Sequence, residues 1–193
     1  NVSSAASDVY KRQVLGGARS GKSAFAESAA REISQEYAAS PPPENGGFQP
    51  GQHLYLATSR IYDSAHEDRI AKHRAARDPD WQLHEEPIAL AQTLARLDQP
   101  GVVILVDCLT LWLTNLLLDK EDIGNHVEQL ERTLPGLSAH VILVANEVGL
   151  SVAPETALGN AFRDEAGLLN QRMAACADRV DFITAGLPLR LKG

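Results

Sequence analysis

Short apolar runs alternate with longer amphipathic segments along the chain, and this pattern predicts an α/β protein. Residues 102–107 and 140–145 contain runs of consecutive aliphatic residues, which predict strands buried on both faces. Further strands are predicted at 53–58, 81–85 and 180–184, and the last of these is predicted to be the final strand. Apolar residues recur at helical spacing, or strong helix formers follow one another, at 22–37, 64–76, 87–97, 109–118, 127–134 and 155–178. The alternation implies right-handed crossovers and a mostly parallel sheet with helices on both faces.

The first strand is predicted to be short. Only Val14 and Leu15 directly precede Gly16, and residues 11–13 read Lys-Arg-Gln, which is polar where a buried strand should be apolar. The sequence therefore predicts a first strand that is truncated at its beginning.

The length of 193 residues suits one domain. Residues 1–13 are predicted to be an N-terminal tail or fragment remnant that includes at most part of the first strand, and 14–193 are predicted to form the domain. Within it, segment 38–52 contains four prolines and three glycines, which predicts a surface loop.

Composition narrows the possible partners and location. The net charge of −7 disfavours a nucleic-acid duplex as partner, because duplex binding usually needs a basic face. No apolar run approaches the length that crosses a bilayer. The two cysteines, Cys108 and Cys176, are too few for a disulfide or metal framework, and both lie in apolar contexts. We therefore expect reduced thiols and a cytoplasmic protein without a membrane span.

The stretch that follows the first strand fits the pattern G-x-x-x-x-G-K-[ST] of a phosphate-binding loop. In such a loop the glycines let backbone N–H groups turn towards phosphate oxygens, and the next helix adds its positive end. Lys22 is predicted to contact the β- and γ-phosphates, and the Ser23 hydroxyl to bind Mg²⁺. The helix-forming residues that follow favour this interpretation over a structural glycine turn, and the fold predicted is phosphate-loop NTPase-like. The residues of the loop are Gly16, Gly17, Ala18, Arg19, Ser20, Gly21, Lys22 and Ser23.

Polar residues follow the other predicted strands. Since ligands of parallel sheets bind beyond the carboxyl ends of the strands, the phosphate loop, residues 58–60, Asp107 and residues 146–147 are predicted to lie along one rim. Asp107 follows five apolar residues, and a carboxylate at this place in a phosphate-loop protein meets Mg²⁺. The alternative is that Asp107 caps the helix that follows.

A predicted helix at 64–76, extended to Arg77, carries a second candidate group. Arg69, His73 and Arg77 share one helix face, and neighbouring positive charge favours the neutral, nucleophilic form of the imidazole. The arginines also suit phosphate oxygens. Spacing alone, however, favours the alternative, a solvated basic helix face with an incidental histidine.

Five stretches of the sequence together resemble a known enzyme family. They are GGARSGKS at 16–23, YLATS at 55–59, DRIAKH at 68–73, LVDCLTLWLTNLL at 105–117, and NEVGLSVAPE at 146–155 continuing into FRDEAGLLNQRMA at 162–174. The chain is similar along nearly its whole length to the bifunctional adenosylcobinamide kinase / adenosylcobinamide-phosphate guanylyltransferases of cobalamin biosynthesis. The resemblance implies phosphorylation of adenosylcobinamide with ATP or GTP, and transfer of GMP from GTP to the resulting phosphate with release of pyrophosphate.

The resemblance also implies roles for residues. It makes His73 the nucleophile that forms a GMP–histidine intermediate. In that reaction Lys22 is predicted to act in catalysis by neutralising the leaving pyrophosphate, together with Mg²⁺, which the phosphate-loop pattern assigns to Ser23 and Asp107. It implies a corrinoid and a nucleotide as small-molecule partners, and a homotrimer. The guanine nucleotide contacts that it implies outside the phosphate loop are Ala57, Thr58, Ser59, Arg74, Ala75, Ala76, Arg77, Glu85 and Asp107.

Two other functions stay open at this point. A single-function small-molecule kinase would use the same phosphate loop without forming a nucleotidyl–enzyme adduct. A non-catalytic nucleotide-binding module would only bind, although the Asn-Lys-x-Asp string with which guanine switch proteins read the base does not occur in this sequence.

Overall fold

A computed structural model of the protein describes residues 9–38, 49, 51–60 and 80–193. The predicted helix 64–76 and most of the predicted loop 38–52 lie outside these residues. The strands of this described part are β1 (Lys11–Gly16), β2 (His53–Ala57), β3 (Gln82–Glu85), β4 (Val103–Asp107), β5 (His140–Asn146), β6 (Arg179–Thr184) and β7 (Leu187–Lys192). They form one sheet in the order β3-β2-β4-β5-β1-β6-β7, and among them only β7 runs antiparallel to its neighbour. The predicted fold class, an α/β protein with a mostly parallel sheet, is confirmed.

Helices cover both faces of the sheet, as predicted. In the described residues the helices are α1 (Lys22–Tyr37), α2 (Leu90–Leu97), α3 (Leu109–Asp119), α4 (Ile123–Thr133) and α5 (Ala157–Cys176), and a 3₁₀ turn spans Leu134–Gly136. One core joins α2, α3, α4 and α5 to side chains such as Ile104 and Val106 on β4. The opposite core joins α1 to the alternate positions Val103 and Leu105. β4 is apolar at consecutive positions because successive side chains enter different cores.

β1 is longer than the sequence predicts. It begins at Lys11, all six of its residues are buried, and it pairs with β5 on one side and β6 on the other. Lys11 Nζ donates to the carbonyls of Leu137 and Ala139, and Gln13 Nε2 donates to that of Asn170. The expectation of a truncated strand is therefore wrong, because buried polar groups are tolerated where they find hydrogen-bond partners.

Arg12, the remaining polar residue of β1, forms a buried ion pair. Its Nε lies 2.7 Å from Asp181 Oδ2, and Asp181 Oδ1 lies 2.5 Å from Nε of Arg190. The guanidinium also lies over the ring of Phe25, 4.8 Å from its centroid. Three neighbouring strands, β1, β6 and β7, are thus linked through one carboxylate that is only 1% exposed.

The prediction that the chain ends its strands at 180–184 is also wrong. β7 follows after the turn residues Ala185 and Gly186, whose φ values are 51° and 78°. Two successive residues with positive φ make the kind of tight turn that suits the twist of a hairpin. The N–H of Gly186 donates to the carbonyl of Ser20 over 2.8 Å, so the tip of the hairpin supports the phosphate loop.

The expectations of reduced thiols and of a chain without a membrane span concern the whole molecule. Cys108 and Cys176 are both free thiols. Within 9–38, 51–60 and 80–193, none of the helices combines the length and the apolar character that a membrane crossing needs.

Candidate nucleotide site

The phosphate loop turns tightly between β1 and α1. A Cβ on Gly16 would lie 2.5 Å from Ser20 Oγ and 2.7 Å from the carbonyl oxygen of Ile183, so only glycine fits there. Gly21, with φ 95°, lies at the N-cap of α1, and no side chain caps this end of the helix. The N–H groups of the first helical turn therefore have no side-chain acceptor, which is the arrangement that binds an anion.

Lys22 and Ser23 begin α1 beside this loop. The side chains of Lys22 and Ser23 are half-buried. Lys22 Nζ donates to the carbonyl of Gly17 over 3.2 Å. Ser23 Oγ lies 3.3 Å from Oδ2 of Asp107, at the end of β4. The structure thus brings together the two residues that the sequence predicts to hold Mg²⁺.

Tyr55 is a residue of this site that sequence reasoning did not assign a role. It lies in β2, is 4% exposed, and its hydroxyl donates to Asp107 Oδ2 over 2.6 Å. Its ring packs edge-on against Trp81, with centroids 5.7 Å apart. Tyr55 therefore orients the carboxylate that faces Ser23.

The alternative role for Asp107 is wrong. The N-cap residue of α3 is Cys108, which makes no side-chain cap bond, whereas the Asp107 carboxylate accepts from Ser23 and Tyr55. Burial, and secondarily the Asp107 carboxylate, raises the pKa of Cys108 to about 12. The thiol stays protonated at neutral pH and is not a nucleophile of this site.

Thr58 joins the carboxyl ends of β2 and β4. It is fully buried, and its hydroxyl donates to the carbonyl of Cys108 at 2.7 Å and accepts from the N–H of the same residue at 3.0 Å. Asn115, fully buried on α3, donates from Nδ2 to the carbonyls of Thr58 and Pro87. Thr58 lies at the predicted rim, but its polar groups are occupied by the protein.

The neighbouring predicted contacts lie at the same rim. Ala57 ends β2 and pairs in register with Glu85, the exposed last residue of β3. Ser59 is half-buried, and Arg60 Nη1 lies 2.7 Å from Asp119 Oδ2. The end of β5 closes the row, since Asn146 pairs with Gly16 and the N–H of Glu147 donates to the Gly16 carbonyl over 3.0 Å. The prediction of one shared rim is confirmed.

The predicted nucleophile is not among these residues. His73 and the predicted contacts Arg74, Ala75, Ala76 and Arg77 lie outside the described residues, so their roles stay predictions.

The donor set at the rim fits Mg²⁺. A hydroxyl and a carboxylate oxygen are hard ligands, and Mg²⁺ commonly binds one or two protein oxygens and completes its octahedron with phosphates and water. In the part of the chain that the structure describes, no three His, Cys, Asp or Glu residues cluster as a ready metal cage. Ser23 and Asp107 therefore offer two oxygen ligands of the kind that Mg²⁺ prefers.

The chain is similar to characterised proteins along nearly its whole length. A family model described as cobinamide kinase / cobinamide phosphate guanyltransferase matches residues 13–191. The bifunctional adenosylcobalamin biosynthesis protein CobP of Pseudomonas aeruginosa is 44% identical over 182 residues, which cover 93% of this chain and 96% of that protein. The bifunctional adenosylcobalamin biosynthesis protein CobU of Escherichia coli K12 is 33% identical over 194 residues, which cover 93% and 98%.

A solved structure supports the fold. A protein of Pyrococcus horikoshii OT3 superposes with a TM-score of 0.50 at 10% sequence identity, covering 95% of this chain and 86% of that one. At this level of identity the likeness concerns the architecture alone.

Proposed function

The chain belongs to the cobinamide kinase / cobinamide phosphate guanyltransferase family, and from this premise we propose how its residues carry out the two reactions. Members of the family are enzymes of cobalamin biosynthesis that phosphorylate cobinamide and transfer a guanylyl group to cobinamide phosphate. Our proposal is that both reactions use one triphosphate site, the phosphate loop at Gly16–Ser23.

The observation that carries the proposal is the convergence of an uncapped helix, a lysine and an oxygen pair. The first-turn N–H groups of α1 bind phosphate oxygens, and Lys22 exchanges its bond to the Gly17 carbonyl for one to the β- and γ-phosphates. Ser23 and Asp107, whose Oγ and Oδ2 atoms lie 3.3 Å apart, would hold Mg²⁺. The ion, when bound, offsets charge on the phosphates as the leaving group departs.

For guanylyl transfer, we assign the nucleophile to His73, as the family resemblance implies. A neutral imidazole nitrogen attacks the α-phosphorus of GTP, a P–N bond forms, and the bond from that phosphorus to the bridging oxygen breaks to release pyrophosphate. A phosphate oxygen of adenosylcobinamide phosphate then attacks the same phosphorus. The P–N bond breaks, adenosylcobinamide-GDP forms, and the imidazole is regenerated.

The kinase reaction needs no covalent enzyme intermediate. The aminopropanol hydroxyl of adenosylcobinamide attacks the γ-phosphorus of ATP or GTP, loses its proton, and the nucleoside diphosphate leaves. Positioning and charge stabilisation by the loop and Lys22 supply most of the acceleration.

Further contacts with the nucleotide are proposed from the family resemblance and from the positions of residues along the rim. Glu85 and Ala57, adjacent at the ends of β3 and β2, are proposed to border the guanosine. Thr58, whose polar groups bond to the protein, is proposed to shape the rim rather than to donate to the nucleotide. The remaining proposed contacts are Ser59, Arg74, Ala75, Ala76 and Arg77.

We also propose a cytoplasmic homotrimer. The two free thiols suit a reducing compartment. The trimer rests on the resemblance, and light scattering on the purified protein measures it directly.

The nucleotidyl step is tested by labelling with α-labelled GTP. We expect the wild-type protein to become labelled through an acid-labile P–N bond, and His73→Ala to lose the label while it keeps part of its kinase activity with ATP. His126→Ala is the matched control, because His126 lies on α4 and its ring contacts Glu121 and Trp112, neither of which is assigned to the nucleotide site.

The other possible results of the labelling experiment contradict the proposal in different ways. Labelling that persists in His73→Ala excludes this histidine as the nucleophile. A wild-type protein that phosphorylates cobinamide but takes up no label would be a single-function kinase, and one that binds GTP without either reaction would be a binding module.

A further inference from the structure

The segment between β5 and α5, residues 147–156, leaves the rim at its centre. We call it the β5–α5 loop. In the sheet β5 lies between β4, which ends at Asp107, and β1, which ends at Gly16. The N–H of Glu147 donates to the Gly16 carbonyl over 3.0 Å, so the loop begins in contact with the phosphate loop.

Two apolar side chains of this loop point into solvent. Leu150 is 79% exposed and Val152 is 92% exposed, the two largest values among the large apolar side chains that the structure describes. Large apolar side chains gain free energy when they are covered, so these two form a candidate contact surface on a loop that begins at the phosphate loop.

The loop is held in place by its own hydrogen bonds. Ser151 Oγ donates to the carbonyl of Val148 over 2.8 Å, and the N–H of Gly149 donates to Glu147 Oε1 over 2.7 Å. At its far end, Asn160 Nδ2 donates to the Pro154 carbonyl over 2.8 Å. Because the support is already formed, little ordering is needed when Leu150 and Val152 bind something.

We propose that the β5–α5 loop contacts the corrin ring of cobinamide, with Leu150 and Val152 as the apolar surface. The inference rests on the proposed function. The reacting hydroxyl is at the end of a side chain of the macrocycle, so when it reaches the γ-phosphate the ring itself has to lie outside the phosphate loop, against the rim. The methyl groups on the periphery of a corrin are apolar and match these two side chains.

A second copy of the chain is a less suitable occupant. A stable protein interface buries roughly 800 Å² on each partner, far more than two side chains provide. The loop that carries the two side chains begins at Glu147, in contact with Gly16, on the strand between those that end at Asp107 and Gly16, and this position suits a small-molecule acceptor.

The test is the double variant Leu150→Ser, Val152→Ser, measured with adenosylcobinamide. We expect the dissociation constant and the KM for adenosylcobinamide to rise about tenfold or more, because two apolar contacts are lost. The dissociation constant for GTP and the labelling by α-labelled GTP should stay at wild-type values. The pair Leu150→Met, Val152→Ile, which keeps the apolar surface, should bind adenosylcobinamide as the wild type does.

Leu191→Ser is the matched control for exposure alone. Leu191 is 58% exposed on β7, at the end of the hairpin away from the rim, and it should leave adenosylcobinamide binding unchanged. Thermal midpoints of all variants show whether they fold.

Three results would overturn the inference. One is a folded double variant that binds adenosylcobinamide with wild-type affinity. Another is a double variant that falls apart to a smaller oligomer and regains adenosylcobinamide binding at high protein concentration, which would assign the loop to a subunit contact. The third is a wild-type protein that neither phosphorylates cobinamide nor takes up label. This result would refute the proposed function itself, and it would be seen without any loop variant.

Discussion

The two ends of β1 carry polar side chains in opposite settings. Residues 11–13 are buried and donate to carbonyl or carboxylate oxygens of neighbouring elements. Beyond the other end, Lys22 and Ser23 are half-buried, and their bonds to Gly17 and Asp107 are 3.2 and 3.3 Å long. Buried bonds that replace water fix the fold, whereas long bonds at a half-open surface are easily exchanged for a ligand. Substitutions at the first end should therefore lower stability, and substitutions at the second should lower activity.

The largest effect is expected at the buried end, for Asp181→Asn. Asp181 is 1% exposed and accepts from both Arg12 and Arg190. Removal of its charge leaves the buried Arg12 guanidinium without a counter-charge, which costs about 3–5 kcal/mol of unfolding free energy. Urea unfolding measures this loss, and the protein that remains folded should bind GTP with wild-type affinity.

Glu128→Gln is the control for Asp181→Asn, because Glu128 pairs with Arg132 on the surface of α4. It should change the unfolding free energy by at most about 1 kcal/mol. If Asp181→Asn were as stable as the wild type, the contrast between the two ends would be wrong. A weaker GTP affinity in folded Asp181→Asn would show that the ends are coupled, through the bond between Gly186 and Ser20.

The next largest effect is expected beyond the other end of β1, for Lys22→Ala. Loss of the Lys22 ammonium removes a positive charge beside the transferring phosphates, and we expect kcat/KM of both reactions to fall on the order of 10²–10³-fold. The unfolding free energy should change by less than about 0.5 kcal/mol, since the side chain is half-buried and its bond to Gly17 is long. Steady-state assays with unfolding measurements on the same samples check both statements.

Lys22→Arg separates charge from shape at this position. A guanidinium keeps the charge but presents it as a planar fork, so we expect an intermediate loss. A Lys22→Ala protein with nearly wild-type rates would instead mean that the main-chain groups of the loop suffice.

Parts of the molecule that depend on neighbouring residues in sequence could be predicted. α1 spans Lys22–Tyr37 as expected, because a phosphate loop and strong helix formers adjoin there. β4 follows from its aliphatic run, and its end at Asp107 meets the phosphate loop because parallel strands end at one rim.

Parts of the molecule that depend on residues distant in the sequence could not be predicted. Residues 11–13 look unsuited to a buried strand until Asp181 and Asn170 are brought beside them. The bond from Tyr55 to Asp107 crosses from β2 to β4, and no local pattern indicates which strands will be neighbours. β7 could have been predicted, because leucines alternate with other residues at 187–192. It was missed because the segment contains no run of consecutive apolar residues of the kind that indicates a buried strand.

The smallest predicted effect concerns His140, which lies at the same edge as the buried end of β1. The side chain is 2% exposed, and its Nδ1 accepts from the N–H of Tyr10 over 3.1 Å. Burial, and secondarily the charge of Lys11, lowers the pKa of His140 from 6.5 to about 4. The folded protein therefore keeps this ring neutral at pH values where the unfolded chain protonates it.

The sign of the pH dependence follows. Between pH 6.5 and about 4 the unfolded state binds a proton at His140 that the folded state does not, so this residue lowers stability as the pH falls through that range. His140→Asn keeps an acceptor for Tyr10 and cannot titrate. The difference in unfolding free energy between wild type and variant should shift by about 1–2 kcal/mol in favour of the variant from pH 7.5 to pH 5. Parallel curves for the two proteins would mean that His140 titrates alike in both states, and that burial beside Lys11 does not keep its ring neutral.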